Sequence, residues 1–419
     1  MPLTIHVDGV ETYTNTEHIV FSVSSVLSRA CDVLDMKFLV LKVPASMVPT
    51  EALRIDMYKT AACYFAWCFE VLQTGRWPPT GLYGETVQWP GAKSGDLLMG
   101  GYSGAMAFMK TDGKARIEAH QFPFNYRRIF MCDECFAVQP FPSVLLSQLL
   151  SFLLYTDFSR VAGWRKTTFC HDFYLRHCSN ITPWMAVPGF RKELVAWCFM
   201  HLGPLGFLRD FSAAMVIDFL RRCALMVRYG CADVDGILRH LWLEFKQWSK
   251  DRGYGYVSSA GLTLTKLGVD GLYHNNKYPE LASSIKASTV KTFTCFLAWL
   301  AVEIEQDDPR DNLRAAAGWG IAEFIWICDT SGVILSESQV RRLQDGGRTF
   351  LEAYAELARR AAVQKSMMWK VRPKLHEFEH LLSFVAASRI NPLYMSAWHE
   401  ESFLGKVKKL TIKCQGGPF

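Results

Sequence analysis

Leu3-Thr4-Ile5-His6-Val7-Asp8-Gly9-Val10 opens the chain in strict alternation. Leu3, Ile5 and Val7 fall on one face and Thr4, His6 and Asp8 on the other, the period of two that a half-buried strand requires. The pattern predicts a first strand ending at Asp8. Two further β-rich runs follow, His18 to Val26 and Lys37 to Val43. Glu51 to Thr74 then reads as a helix, with Pro49-Thr50 before it and Gly75 after it. A Pro/Gly/Trp-rich stretch, Arg76 to Gly101, leads to a short apolar run, Ala105 to Thr111, ending at Asp112 and followed by a helix-like Lys114 to Phe122. The order is β, β, β, α, β, α.

From Met131 the texture changes. Apolar residues recur at spacings of three and four through most of Ser143 to Tyr155, Arg191 to Arg228, Ile285 to Glu305, Leu313 to Cys328 and Glu337 to Lys370, which predicts a mainly helical region. Loops such as Arg252 to Tyr278 punctuate it, with no repeat period. Lys374 to Lys413 reads as two helices broken at Asn391-Pro392. Three regions are expected: an α/β segment over 1–125, a helical one over 126–370, and C-terminal helices over 371–419.

Composition narrows the class. Of 419 residues half are hydrophobic, 21% charged and 13% aromatic, enough apolar surface to exclude a disordered tail, a collagen-like fibre and a small stapled scaffold. The formal charge of +6 is compatible with a polyanionic partner without demanding one. Met1 to Val10 carries neither a basic nor an apolar leader region, so the 13 cysteines suit a reducing compartment. The longest apolar runs, Val144 to Tyr155 and Phe293 to Ile304, fall short of the roughly 20 residues that cross a bilayer. A soluble protein without a membrane partner is expected.

The βββαβα order, with an acid after the first strand and another after the fourth, is the pattern of an RNase H-like nuclease core. Two-metal phosphoryl transfer needs carboxylates from separate elements to hold Mg²⁺ or Mn²⁺ ions about 3.5–4 Å apart. Asp8 and Asp112 suit that role. Each also precedes a glycine, and Asp8-Gly9 or Asp112-Gly113 is equally a turn signal. A third acid is offered by Trp398-His399-Glu400-Glu401-Ser402-Phe403-Leu404-Gly405-Lys406, with Lys408 and Lys409 beyond it. An acid beside basic residues fits a metal site bordered by phosphate contacts, and also a solvated end helix.

Asn391-Pro392-Leu393-Tyr394-Met395-Ser396-Ala397-Trp398-His399-Glu400-Glu401, running on to Lys409-Leu410, resembles the end of the catalytic domain in transposases of the CACTA (En/Spm) and Kyakuja-Dileera-Zisupton groups. There an acid, an aromatic, Leu-Gly-Lys and further lysines follow a Lys-x-His-x-x-x-His element, matched here by Lys374, His376 and His380. His6-Val7-Asp8-Gly9-Val10-Glu11-Thr12-Tyr13 is similar to their first-aspartate motif. The resemblance implies an RNase H-like core interrupted by a large helical insertion. Asp8, Asp112 and Glu401 would be the catalytic, metal-binding carboxylates, with Glu400 as fallback for the last and Asp96 as rival to the second. It implies attack by water or a 3′-hydroxyl on DNA phosphodiesters, with Lys406, Lys408 and Lys409 on phosphates. A nuclear location would follow from that substrate, and assembly with further copies of the chain is compatible. The family's Cys-x-x-Cys and Cys/Asp-x-x-His motifs are matched by Cys132, Cys135, Cys198 and His201, which would hold a structural Zn²⁺. Cys170, His171, His177 and Cys178 compete for that role. The first aspartate lies at residue 8, which leaves no room before it for a DNA-end-binding segment. A truncated or domesticated core, retaining the fold without mobilising DNA, is therefore within the expectation.

Two other functions remain open on the residues. His376-Glu377-Phe378-Glu379-His380 matches the H-E-x-x-H pattern of a zinc metallopeptidase, with Glu400 downstream as a third ligand. Against it, Pro373 leaves little helix ahead of the motif, and Glu379 occupies a position that usually faces the core. The other is a non-catalytic nucleic-acid-binding or scaffold protein. Trp67, Trp164, Trp184, Trp197, Trp242 and Trp299 lie in apolar runs and read as core.

Overall fold

The computed structural model describes the chain except for residues 12–16, 29–32, 123–127, 141–149, 178–180, 255–260, 274–275, 305–308 and 416–419. Its strands are β1 (Pro2–Glu11), β2 (Glu17–Ser25), β3 (Lys37–Pro44), β4 (Ala105–Thr111) and β5 (Val195–Trp197). The helices used below are α1 (Glu51–Thr74), α2 (Gly113–Glu118), α3 (His171–His177), α4 (Leu208–Arg221), α5 (Val234–Asp251), α6 (Ala287–Glu303), α7 (Pro309–Thr330), α8 (Glu337–Val363), α9 (Pro373–Ser388) and α10 (Trp398–Gln415). The protein is thus a mixed α/β structure. Two compact units divide it: Met1–Gln139 with Lys166–Cys198 and Tyr394–Phe419, and Pro140–Arg165 with Phe199–Leu393.

The first unit holds the sheet, in the order β3-β2-β1-β4-β5. β1 pairs antiparallel with β2, and β2 antiparallel with β3; β4 runs parallel to β1, and β5 parallel to β4. Alternation decides the faces. Leu3, Ile5 and Val7 join Ile19, Phe21 and Met109 on the side that packs against Tyr58, Ala61, Ala62, Phe65 and Phe69 of α1 and against Trp184. Thr4, His6 and Asp8 point to the other side, where Val20 of β2 meets Leu404 of α10. The capping chemistry agrees with the sequence. The Thr50 hydroxyl accepts from the Leu53 N–H at 3.3 Å, and Gly75 takes the left-handed conformation (φ 63°) that closes α1.

Three local expectations change. β1 does not end at Asp8: the ladder runs on through Asp8↔Val20, Gly9↔Ile19, Val10↔His18 and Glu11↔Glu17, so Asp8-Gly9 is strand interior and not a hairpin turn. The helix after Asp112 stops at Glu118 instead of Phe122. Val195–Trp197 is a strand, although its neighbourhood reads as helical. All three of its residues are buried, and so short an apolar run carries no period to distinguish the two.

The second unit is helical. The buried side of α8 comprises Val340, Leu343, Gly346, Gly347, Phe350, Leu351, Tyr354, Leu357 and Ala361, the three-and-four spacing of one helix face. Ser336 and Gln339 form a capping box at its start. α7 and α8 approach so closely that a Cβ on Gly320 would lie 2.5 Å from the Gly346 carbonyl oxygen and 2.8 Å from the Phe350 nitrogen. Glycine is therefore required there by close backbone contact. α9 begins at Pro373, whose missing N–H costs nothing at the first helical position, and ends at Ser388 before the left-handed Arg389 (φ 58°). Residues 143–149 of the expected Ser143–Tyr155 helix lie outside the described residues; Ser151–Leu153 is a single 3₁₀ turn. Among the described residues no helix is long and apolar enough to cross a membrane.

Gly320→Ala should destabilise the second unit by about 1–3 kcal/mol, the usual cost of overpacking. Urea unfolding of the variant checks this; an unchanged midpoint would contradict the close approach of α7 to α8.

Candidate functional site

The polar face of the sheet carries an unusual charge arrangement, contained entirely within the first unit. Glu400 lies in the first turn of α10, with its side chain buried. Lys37 opens β3 and Lys110 lies near the end of β4, one step across the parallel ladder from His6. Glu400 Oε1 accepts from both ammonium groups, from Lys110 Nζ at 2.8 Å and from Lys37 Nζ. Both lysine side chains are also almost inaccessible, at 4% and 6%. Each makes one further hydrogen bond. Lys37 Nζ donates to Ser24 Oγ at 3.1 Å, which shares a hydrogen with Thr4 Oγ1 at 2.8 Å, and Lys110 Nζ reaches the Ser396 carbonyl at 3.4 Å.

Electrostatics fixes the protonation of this cluster. Burial alone would raise the Glu400 carboxyl, but Lys110 and Lys37, with His6 behind them, outweigh it and hold the group at about 2. Lys37 is pushed down by burial and by the neighbouring Lys110, against the pull of Glu400. At neutral pH one carboxylate thus stands against two ammonium groups. Beside them, His6 Nε2 lies 3.7 Å from Asp8 Oδ2, and Asp8 Oδ1 accepts from the Gly9 N–H at 2.7 Å.

The sequence-derived acids separate by position. Asp8 is half-buried on the same face of β1 as His6. Asp112 is the N-cap of α2, its Oδ1 accepting from the Ala115 N–H at 2.7 Å, which is the turn-type role. Glu401 is exposed, whereas its neighbour Glu400 turns inward to the sheet. Asp96 is exposed in a loop, accepting from the Lys93 N–H. On α10, Lys406 and Lys408 are half-buried and Lys409 is exposed. The lysines of the charge cluster were not legible as site residues: Lys37 reads as a strand start and Lys110 as one polar residue in an apolar run.

The Cys-x-x-Cys loop is built by a second charge cluster of the same unit. Arg116 of α2 is fully buried; its guanidinium donates to Asp133 Oδ2 at 2.7 Å and Glu134 Oε1 at 2.8 Å, the two residues between the cysteines. It donates also to the Val195 carbonyl at 2.8 Å and stacks 3.7 Å over the Trp197 ring. Lys192 adds a second cation 3.8 Å from Asp133. Burial opposes charge on Asp133, yet Arg116 and Lys192 keep it below its ordinary range. His120 nearby is pushed down to about 3 by burial and Arg116, and is neutral. Both residues between the cysteines are thus tied to Arg116. Cys132 and Cys135 are buried, their sulfurs lie within 4.8 Å of each other, and Cys132 Sγ accepts from the Glu134 N–H at 3.3 Å.

The other expected zinc ligands have these surroundings. Cys198 is buried, and its sulfur accepts from the Ala397 N–H at 3.2 Å. The ring of His201 is half-buried, while its carbonyl accepts from Lys374 Nζ at 2.7 Å. His171 Nδ1 accepts from the Lys192 N–H, Cys170 and His177 are exposed, and Cys178 lies outside the described residues.

In the second unit the H-E-x-x-H residues lie on α9. His376 and His380 are buried, their Nε2 atoms 3.1 Å apart and their rings nearly perpendicular at 89°. Trp164 packs against both, with ring centroids at 4.4 and 5.6 Å. Arg165 donates to Glu379, which explains a glutamate on the inner side of the helix. Glu377 is also buried. A peptidase needs an open coordination position that a substrate can reach, and both histidines and Glu377 are shielded from solvent.

No family model, curated protein or solved structure matches the chain.

Replacing Glu400 by Ala leaves two buried ammonium groups uncompensated and should cost about 3–5 kcal/mol. The depressed carboxyl also sets a sign with pH. Its contribution is present above the ordinary value of 4.5 and is lost as pH falls toward about 2, so stability should decline through that window. In Lys37→Met/Lys110→Met/Glu400→Leu the decline should flatten; urea titrations at several pH values check both outcomes.

Proposed function

We propose that the first unit is an RNase H-like core related to the CACTA and Kyakuja-Dileera-Zisupton transposases, with the helical second unit as its insertion, and that it binds DNA without cutting it. Strand order supports the first part: an antiparallel β1-β2-β3 meander, with β4 and β5 added parallel beyond β1, follows the βββαβα scheme. The C-terminal helix brings an acid, Glu400, to the face of β1 that carries Asp8, and Glu400 feels the charge of His6 beside Asp8. In this reading Glu400, not Glu401, occupies the place of the third carboxylate.

The single observation that carries the loss of catalysis is the pair of lysines on Glu400 Oε1. A Mg²⁺ or Mn²⁺ ion there would need oxygen ligands at about 2.0–2.1 Å, and would meet two ammonium charges already bonded to the same oxygen. At separations of about 4 Å, like charges cost several kcal/mol even in a screened protein environment. The lysines supply in permanent form the positive charge that metals provide in a two-metal enzyme. With Asp112 engaged as a helix cap and Glu401 turned outward, too few acids converge for the second ion among the described residues. Phosphate contact falls to the α10 lysines, Lys406, Lys408 and Lys409, acting as sequence-independent anchors. A nuclear location follows if DNA is the partner.

Purified protein mixed with linear and supercoiled DNA should bind with affinity that falls steeply with salt, and should leave the DNA uncut in Mg²⁺ or Mn²⁺. Lys406→Ala/Lys408→Ala/Lys409→Ala should reduce the slope of log K against log salt by up to about 3. Metal-dependent cleavage that disappears in Asp8→Asn would restore the catalytic assignment of Asp8, Asp112 and Glu401; failure to bind DNA at low salt would refute the nucleic-acid role.

A further inference from the structure

The second unit by itself contains a cleft of about 1030 Å³, large enough for a small-molecule ligand and unused by the function above. One wall is α8, where Ala355, Ala358 and Ala362 succeed one another at helical spacing and their small side chains leave a groove. The other wall is residues 366–371, which run back along that helix. The Ser366 N–H donates to the Ala361 carbonyl at 2.9 Å, and the Tyr354 hydroxyl to the Lys370 carbonyl at 2.8 Å. The Tyr155 hydroxyl holds the next carbonyl, that of Val371, at 3.3 Å. The segment so pinned keeps Trp369 in the left-handed conformation (φ 58°), which a bulky residue rarely adopts. Backbone strain of this kind persists only where the surroundings impose it, and it gathers at ligand clamps. Buried Phe158, Met368 and Trp369 add to the apolar lining.

Charge gathers around this apolar lining. Glu356 accepts from Arg359 at 2.6 Å and from Arg360 at 2.8 Å, so that acid is taken up. Asp157 accepts from the Ser159 N–H at 2.9 Å, and Glu352 is exposed. Lys370 Nζ lies 5.9 Å over the Tyr278 ring, and neither it nor exposed Arg160 forms an ion pair among the described residues. With Arg360 included, the cations here outnumber the acids. We infer that the cleft binds a small amphipathic anion, a single apolar chain ending in a carboxylate. The chain lies along the alanine groove, which α8 borders from Glu352 to Ala362, roughly 15 Å of helix and the reach of about ten carbons. The carboxylate supplies the partner that Arg160 and Lys370 lack.

Decanoate titrated into the whole chain below its micellar concentration, and followed by tryptophan fluorescence and calorimetry, tests this. Saturation at about one decanoate per chain is expected, with decanol bound about tenfold more weakly, the usual worth of one hydrogen bond to a charged group. Ala358→Trp fills the groove and should abolish binding. Arg160→Ala/Lys370→Ala should weaken decanoate by about tenfold or more and leave decanol unchanged. Circular dichroism establishes that each variant is folded; should Ala358→Trp not fold, the Arg160/Lys370 variant decides alone. A wild-type chain that decanoate does not saturate, or that takes decanol as tightly, overturns the inference. So does a decanoate affinity unchanged in either folded variant. The cleft belongs to the second unit alone, so its failure leaves the DNA reading of the first unit standing.

Discussion

One buried carboxylate organises the polar side of the sheet. Glu400 joins α10 to Lys37 of β3 and Lys110 of β4, residues 363 and 290 positions away in the chain. Each ammonium would be too costly to bury alone, and so would the carboxylate; only together do they offset their desolvation. The cluster therefore specifies where the last helix docks. Apolar contacts alone, Val20 with Leu404 and Phe403 with Val407 and Met36, would tolerate several positions of α10 along the sheet. An ion triad with directed hydrogen bonds does not.

The same triad shapes the functional reading. A nuclease core exposes its acids to water so that hydrated cations can enter and leave. Glu400 is instead buried and already paired with two lysines, and Ser24, Thr4 and the Ser396 carbonyl take further hydrogen bonds of the cluster; on the proposed reading this is the region that would hold the metals. The Arg116 cluster on the same unit follows similar logic: a fully buried guanidinium is tolerated because Asp133, Glu134 and the Val195 carbonyl surround it. It ties the two residues between the cysteines to α2. In both places the ionic groups hold a geometry in place more than they add stability.

Legibility in the sequence tracked the range of the forces involved. Strand alternation at Leu3 to Val7, the capped helix Glu51–Thr74 and the break at Asn391-Pro392 are local effects, and the structure has them where the pattern places them. Val195–Trp197 was not legible, because a three-residue strand is defined by its neighbour β4 and not by any period of its own. The extension of β1 through Asp8 and Gly9 was missed for the same reason: cross-strand pairing with β2 outweighed a local turn signal.

The sequence by itself determined the first four strands and the longer helices to within a few residues, the apolar face of β1, and the residue types from which a metal or phosphate site would have to be drawn. Only the tertiary structure decided which of two adjacent glutamates faces the sheet, and that two lysines already occupy its oxygen. Helical rotation of about 100° per residue sends Glu400 inward and Glu401 outward, and that phase is set by how α10 packs on β1 and β2. Salt-bridge partners hundreds of residues apart leave no local trace, since a lysine in a strand reads the same whether it meets water or a buried carboxylate.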